Sequence, residues 1–158
     1  MDITDLNRYL QINNVRAFLK AIRLGEGTSD DKGYYRIVGG QMFDDDSRHP
    51  NVKVWLPRYE VYSTAAGAYQ IIYPTWKSLV AMYGFPDFKP DSQDRAAVAL
   101  ILGRNALQNV IGGEFDQAIL KCAAEWASLP GSIYGQRTEN YDRLKKVYVD
   151  NKGTFKGE

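Results

Sequence analysis

One carboxylate in this chain stands out by its surroundings: Glu26, in Gly25-Glu26-Gly27-Thr28. Val15, Phe18, Leu19 and Ile22 recur at spacings of three and four, the mark of an amphipathic helix opened by Asn13 or Asn14 and stopped at Gly25. The spacing therefore places Glu26 just past the helix end, beside a flexible glycine and a polar Thr28-Ser29-Asp30-Asp31 stretch. At such a junction the C-terminal helix dipole and the apolar neighbours disfavour the charged carboxylate and raise its pKa. A carboxyl that keeps its proton near neutrality is a general acid. On these residues alone an ordinary surface glutamate is the commoner outcome.

Other chemistries find less support. No Gly-Lys phosphate loop, dinucleotide glycine fingerprint, paired-histidine metal helix or nucleophile elbow is present. The lone Cys122 lies on an apolar helical face and reads as core, and one histidine cannot build a Cys/His zinc site, so no metal or other cofactor is expected. His49, in Ser47-Arg48-His49-Pro50, reads as a turn residue with a local hydrogen bond, substrate contact being its alternative. Asp44, Asp45 and Asp46 lack the glycine turn and closing glutamate of a calcium loop and read as solvated. Aromatic residues gather around the middle of the chain: Tyr34, Tyr35, Trp55, Tyr59, Tyr62 and Tyr69. Aromatic faces with polar tips suit sugar rings, and packing is the alternative for about half of them.

The elements that must position these groups follow from pattern. The 158 residues, 44% hydrophobic and 25% charged, fit one globular domain spanning 1–158. Twenty basic against 19 acidic residues leave a net charge of +1, so no polyanion such as nucleic acid is expected as partner. The longest apolar run, Ala96 to Leu102, is far short of the roughly 18 to 20 residues of a membrane span and reads as a central buried helix capped by Ser92. From Gly33 to about Ser63 the helical period gives way to Tyr34, Tyr35, Ile37, Val38, Val52, Val54 and Trp55, broken by Pro50 and Pro57, an irregular β-lobe. Further helices are expected from Thr75 to Gly84, from Phe115 through Trp126 toward Pro130, and from Tyr141 to Tyr148, with a frayed tail after Asn151. The sum is an α+β fold, a mostly helical lobe and a small β-lobe with a cleft between them.

Five fragments, in order, carry a resemblance: Gly25-Glu26-Gly27-Thr28; Ile37-Val38-Gly39-Gly40; His49-Pro50; Ser63-Thr64-Ala65-Ala66-Gly67-Ala68-Tyr69-Gln70; and Trp126-Ala127-Ser128-Leu129-Pro130-Gly131 with Tyr134-Gly135-Gln136. From about Val15 to Tyr141 the chain resembles the bacteriophage lambda lysozyme (endolysin) family of lytic transglycosylases. The resemblance implies a lysozyme-like fold and peptidoglycan glycan strands as substrate. It implies Glu26 as the catalytic glutamate, with Gly25 where the family has serine, and Tyr34, Ser63, Tyr69, Gln70, Trp126, Tyr134 and Gln136 as substrate-binding residues. It further implies a monomer made in the host cytoplasm, which the acidic opening Met1-Asp2-Ile3-Thr4-Asp5 fits in lacking a secretory signal, and carried to the periplasm by a holin or within the virion.

Tyr35 stands where the family, as aligned, has aspartate, so a second carboxylate is missing there unless Asp30, Asp31 or Glu60 replaces it. One acid suffices for a transglycosylase, in which the muramic acid's own C6 hydroxyl attacks the anomeric carbon and leaves a 1,6-anhydro end. The alternatives are a hydrolytic muramidase and a noncatalytic glycan-binding or structural virion domain.

Overall fold

The computed structural model describes residues 1–131 and 141–158. It opens with α1 (Ile3–Leu10), which the sequence reading lacks. The helix is short but fully capped: the Asp2 carboxylate accepts from the amides of Thr4 and Asp5, and the Asp5 side chain accepts from the Asp2 amide. Leu6 is its buried anchor.

Next comes α2 (Asn13–Glu26), with Val15, Phe18, Leu19 and Ile22 buried on one face as their spacing requires. Its ends differ from expectation by one or two residues. Ile12 occupies the N-cap, and Gly27, in the left-handed conformation at φ 73°, closes the helix. The Thr28 amide bonds the Arg23 carbonyl (2.9 Å) and the Gly27 amide that of Leu24 (3.2 Å), so a Schellman turn lets the helix run through Gly25. Glu26 is therefore its last helical residue and not a loop residue beyond it.

Asn13 and Asn14, read as caps, instead fasten the chain's last residues to α2. Asn13 Nδ2 donates to the Lys152 carbonyl (2.7 Å), and Asn14 Oδ1 accepts from the amide and hydroxyl of Thr154 (3.0 and 3.2 Å). The tail follows α7 (Tyr141–Asp150), and Phe155 packs against Phe115 and Tyr148. The expected fraying is thus corrected, because a half-buried aromatic ring and these bonds hold the segment down.

The expected central helix is α4 (Pro90–Gly103), which follows α3 (Tyr73–Tyr83) and touches α1, α2, α3 and α5 (Leu107–Ile111). Pro90 starts it, two residues before Ser92. The Ser92 hydroxyl instead bonds Asp87, which also accepts from the Lys89 amide (2.8 and 3.0 Å). Pro74 likewise lets α3 begin before Thr75. The last expected helix before the tail is shorter than its pattern: α6 is Phe115–Cys122, and the chain then descends in turns that bury Trp126 and Leu129. Cys122 is fully buried, as its apolar face requires.

The β-lobe is one antiparallel hairpin, β1 (Val54–Leu56) and β2 (Val61–Ser63), paired Val54 with Ser63, Trp55 with Tyr62 and Leu56 with Val61. Tyr34 and Tyr35, read as strand, lie in a 3-10 turn at Gly33–Tyr35. Single bridges join Ile37 to Ala66 and Ala66 to Ile71, tying this lobe to the turn that follows the hairpin.

Candidate functional site

The site begins where α2 ends. Arg23, buried in the last turn of α2, donates through Nε and Nη2 to the Thr28 carbonyl (3.0 and 2.6 Å) and through Nη2 to that of Asp30 (2.8 Å). Its guanidinium lies 4.5 Å from the centre of the Tyr34 ring. The polar loop after Glu26 is thereby folded back on the helix, and the Thr28 hydroxyl bonds the Ala68 carbonyl across the site.

Opposite stands the turn Ala66–Ile71, closed by two backbone bonds between its end residues. Gly67 (φ 83°) serves it twice: the backbone needs the left-handed region, and a Cβ there would stand 2.4 Å from Gln93 Oε1. Gln93, buried on α4, accepts from the Ala68 amide (2.8 Å) and donates to the carbonyls of Tyr34 (3.1 Å) and Phe88 (2.8 Å). The neighbouring Asp94 accepts at one oxygen from the hydroxyls of Tyr34 (2.9 Å) and Tyr69 (2.6 Å), and burial raises its carboxyl above the usual range. Trp126 Nε1 donates to the Tyr69 carbonyl (2.9 Å).

Glu26, the last residue of α2 and two residues before Thr28, is half-buried. The Ser128 hydroxyl donates to its Oε2. Burial pushes the carboxyl up to about 7, and the Ser128 hydrogen bond pulls the other way. A group poised there yields and accepts a proton with equal ease at neutral pH.

The residues expected to bind substrate divide. Tyr69 and Trp126, each 2% exposed, have no ring face left for a sugar, and Tyr34 is held by Asp94 and Arg23. For Tyr69 and Trp126 this burial corrects the assignment as contacts, their rings packing in the core where they brace the turn, whereas Tyr34 is half-buried with its hydroxyl on Asp94. Gln70, half-buried at φ 49°, spends its amide nitrogen on the carbonyls of Gly67 (2.8 Å) and Arg36 (3.3 Å). Ser63 Oγ accepts from the Ala65 amide (3.2 Å), closing the end of β2. Tyr134 and Gln136 lie outside the described residues. The exposed rings are on the hairpin, where Trp55 (47%) and Tyr62 (66%) meet edge to face at 5.0 Å.

His49 is buried, its Nε2 on the Ile71 carbonyl (2.8 Å) and its Nδ1 accepting from the Asn51 amide (2.9 Å), the local role expected of it. It lines a cavity of about 680 Å³ with Tyr73, Trp76, Lys77 and Phe85, which Glu26 does not line. Tyr35, at the position of the missing carboxylate, donates to Asp46 (2.8 Å). Asp30 pairs with Arg36 at 2.6 Å, which holds its carboxyl below the usual range, and Glu60 sits in the turn between β1 and β2. Among the described residues no His, Cys, Asp and Glu cluster could hold a metal, and no helix is long and apolar enough to cross a membrane.

Sequence reasoning missed Ser128, Asp94 and Gln93. Ser128 lay inside a quoted fragment, and Gln93-Asp94 opens the buried face of α4 as a polar pair where apolar residues would be expected, a signal that buried partners exist.

The architecture is that of the lysozyme-like α+β proteins. It superposes on bacteriophage lambda lysozyme complexed with a chitohexasaccharide with a TM-score of 0.85 at 37% identity, covering 91% of this chain and 97% of that one. A second structure of lysozyme from bacteriophage lambda gives 0.82 with the same identity and coverage. The chain belongs to the Endolysin family, whose model matches residues 16–155. It is 39% identical to the endolysin of Escherichia phage lambda, over 93% of this chain and 97% of the relative, and 39% identical to that of Escherichia phage P2, over 85% and 90%.

Proposed function

We propose that this endolysin degrades cell-wall peptidoglycan as a lytic transglycosylase, cleaving the MurNAc-GlcNAc β-1,4 bond with Glu26 as both acid and base. The observation that carries the reading is the half-buried Glu26 carboxyl, raised to about 7 by burial and held by the Ser128 hydroxyl. The lambda relative's structure with a chitohexasaccharide supports a glycan as the bound polymer.

Glu26 in its acid form gives its proton to the glycosidic oxygen as the C1–O bond breaks. The substrate's N-acetyl oxygen stabilises the positive charge developing at C1. The C6 hydroxyl of the same sugar then bonds to C1 and returns its proton to the Glu26 carboxylate. The cycle closes with a 1,6-anhydro end, a free hydroxyl on the leaving sugar and no water consumed. An intramolecular hydroxyl holds a large effective concentration over diffusing water. Of the candidate partner carboxylates, Asp30 is tied to Arg36.

The remaining expectations join this proposal: one catalytic domain over 1–158 acting as a monomer, made in the host cytoplasm and reaching the periplasmic wall by a holin or with the virion. Mass spectrometry of muropeptides released from purified peptidoglycan tests the mechanism. Anhydro ends should dominate, and glycan blocked at the C6 hydroxyl should resist cleavage. Mainly reducing muramic acid ends would make the enzyme a hydrolytic muramidase. Unchanged glycan would leave a binding domain.

A further inference from the structure

We infer that Ser128, given room by Gly25, is a positioning residue that decides which oxygen of the Glu26 carboxyl carries the transferable proton; this rests on Glu26 being the acid and base. The Ser128 hydroxyl has one hydrogen, and it is directed at Oε2. A carboxyl whose Oε2 already accepts a hydrogen bond holds its own proton on Oε1, so the acid form has one orientation instead of two. After proton transfer the same hydroxyl stays on Oε2 and stabilises the carboxylate, which leaves Oε1 to take the next proton.

Gly25 supplies the independent observation. Gly27 needs glycine for its backbone, at φ 73°, but Gly25 has no such need, since its φ lies outside the left-handed region within α2. Glycine is the poorest helix former after proline, so a helical position without backbone need calls for another reason. The reason is space: a Cβ on Gly25 would stand 2.7 Å from Ser128 Oγ, 3.5 Å from Ser128 Cβ and 3.7 Å from Leu129 Cδ2. Contact at 2.7 Å is closer than real Cβ atoms come, so a side chain there forces a shift, and the atom it meets first is the Ser128 hydroxyl oxygen that bonds Glu26. Ser128 has little freedom to follow, being 6% exposed between buried Leu129 and Trp126, whose indole is fixed to the Tyr69 carbonyl.

Among the described residues, charged groups on the neighbouring elements have partners of their own. Arg23, on α2 itself, bonds the Thr28 and Asp30 carbonyls; Asp30 pairs with Arg36; Asp94, on α4, holds Tyr34 and Tyr69. Among the described residues, the shift of Glu26 comes from burial, which raises it, opposed by the Ser128 hydrogen bond.

The test combines a carbon-13 titration of the Glu26 carboxyl with pH–rate profiles on peptidoglycan, for Ser128→Ala, Ser128→Thr, Gly25→Ala and the Gly25→Ala/Ser128→Ala pair. Ser128→Ala should raise the Glu26 midpoint, carry the alkaline limb of activity upward with it, and lower kcat roughly tenfold or more with KM unchanged. Ser128→Thr, which keeps the hydroxyl, should restore both. Gly25→Ala should reproduce Ser128→Ala and add nothing to it in the pair, because both remove one bond. A Ser128→Ala protein with the native midpoint and kcat overturns the inference, as do additive effects in the pair. An active Glu26→Gln protein would overturn the acid/base reading instead, and the catalytic role of Ser128 with it, even with the titration shift in Ser128→Ala present.

Discussion

The two ends of α2 carry polar side chains under opposite conditions. At the start, Asn14 is buried with its amide spent on both sides: Nδ2 donates to the Ile111 carbonyl (3.1 Å) and Oδ1 takes two bonds from Thr154. At the finish, Glu26 is half-buried with a carboxyl whose charged form the surroundings oppose. A neutral amide that finds all its partners fixes a fold and does nothing else. A carboxyl denied full solvation keeps a proton it would lose in water, and that proton is available for chemistry. One helix thus holds still at one end so that the other can titrate in place.

Removing the titrating group breaks the comparison outright. Glu26→Gln should keep the fold and lower lysis of permeabilised Gram-negative cells by at least about a hundredfold in a turbidity assay, because the amide cannot give up a proton. Near-native lysis would move the acid elsewhere. At the other end, Asn14→Ala should lower unfolding free energy by about 2–4 kcal/mol in urea titrations while leaving the alkaline limb of activity where it was. A displaced limb would mean the two ends are coupled through the helix.

A third measurement sharpens the contrast through pH. Native Glu26 keeps its proton to about 7, whereas the unfolded chain releases it near 4.5, so the native state binds more protons in that window. Stability contributed by this group is therefore present at low pH and falls as pH rises from about 4.5 through about 7. Thermal scans should show Glu26→Gln gaining on the native protein between pH 5 and pH 8, and parallel curves would remove burial as the cause of the shift. Least affected should be Cys122→Ala, on α6 and at neither end: a stability loss of about 1–2 kcal/mol, with full activity. Inactivation of that folded variant would reopen thiol chemistry.

What the sequence made legible was local. Val15, Phe18, Leu19 and Ile22 announce the buried face of α2, Gly84 ends α3 where expected, and Ala96 to Leu102 mark the helix that packs against α1, α2, α3 and α5. The place of Glu26 at the end of α2 was legible to within one residue, while its role as the acid rests on the resemblance. What stayed hidden depends on partners far along the chain. Ser128 reaches Glu26 across 102 positions, Thr154 reaches Asn14 across 140, and Tyr34 reaches Asp94 across 60. No periodicity encodes such a bond, and an aromatic residue looks the same in sequence whether its hydroxyl meets Asp94 or solvent. Of the aromatic group that suits sugar rings, Tyr69 is buried while Trp55, Tyr59 and Tyr62 are exposed.

The shared acceptor on Asp94 bears on inheritance. Tyr34, Tyr69 and Asp94 sit on three separated stretches of chain, yet one oxygen serves both hydroxyls. A crossover between positions 34 and 94 that brought in a relative lacking this aspartate would leave the buried Tyr69 and the half-buried Tyr34 without their shared acceptor. Hybrids of this chain should therefore survive only when the three positions travel together or are replaced together.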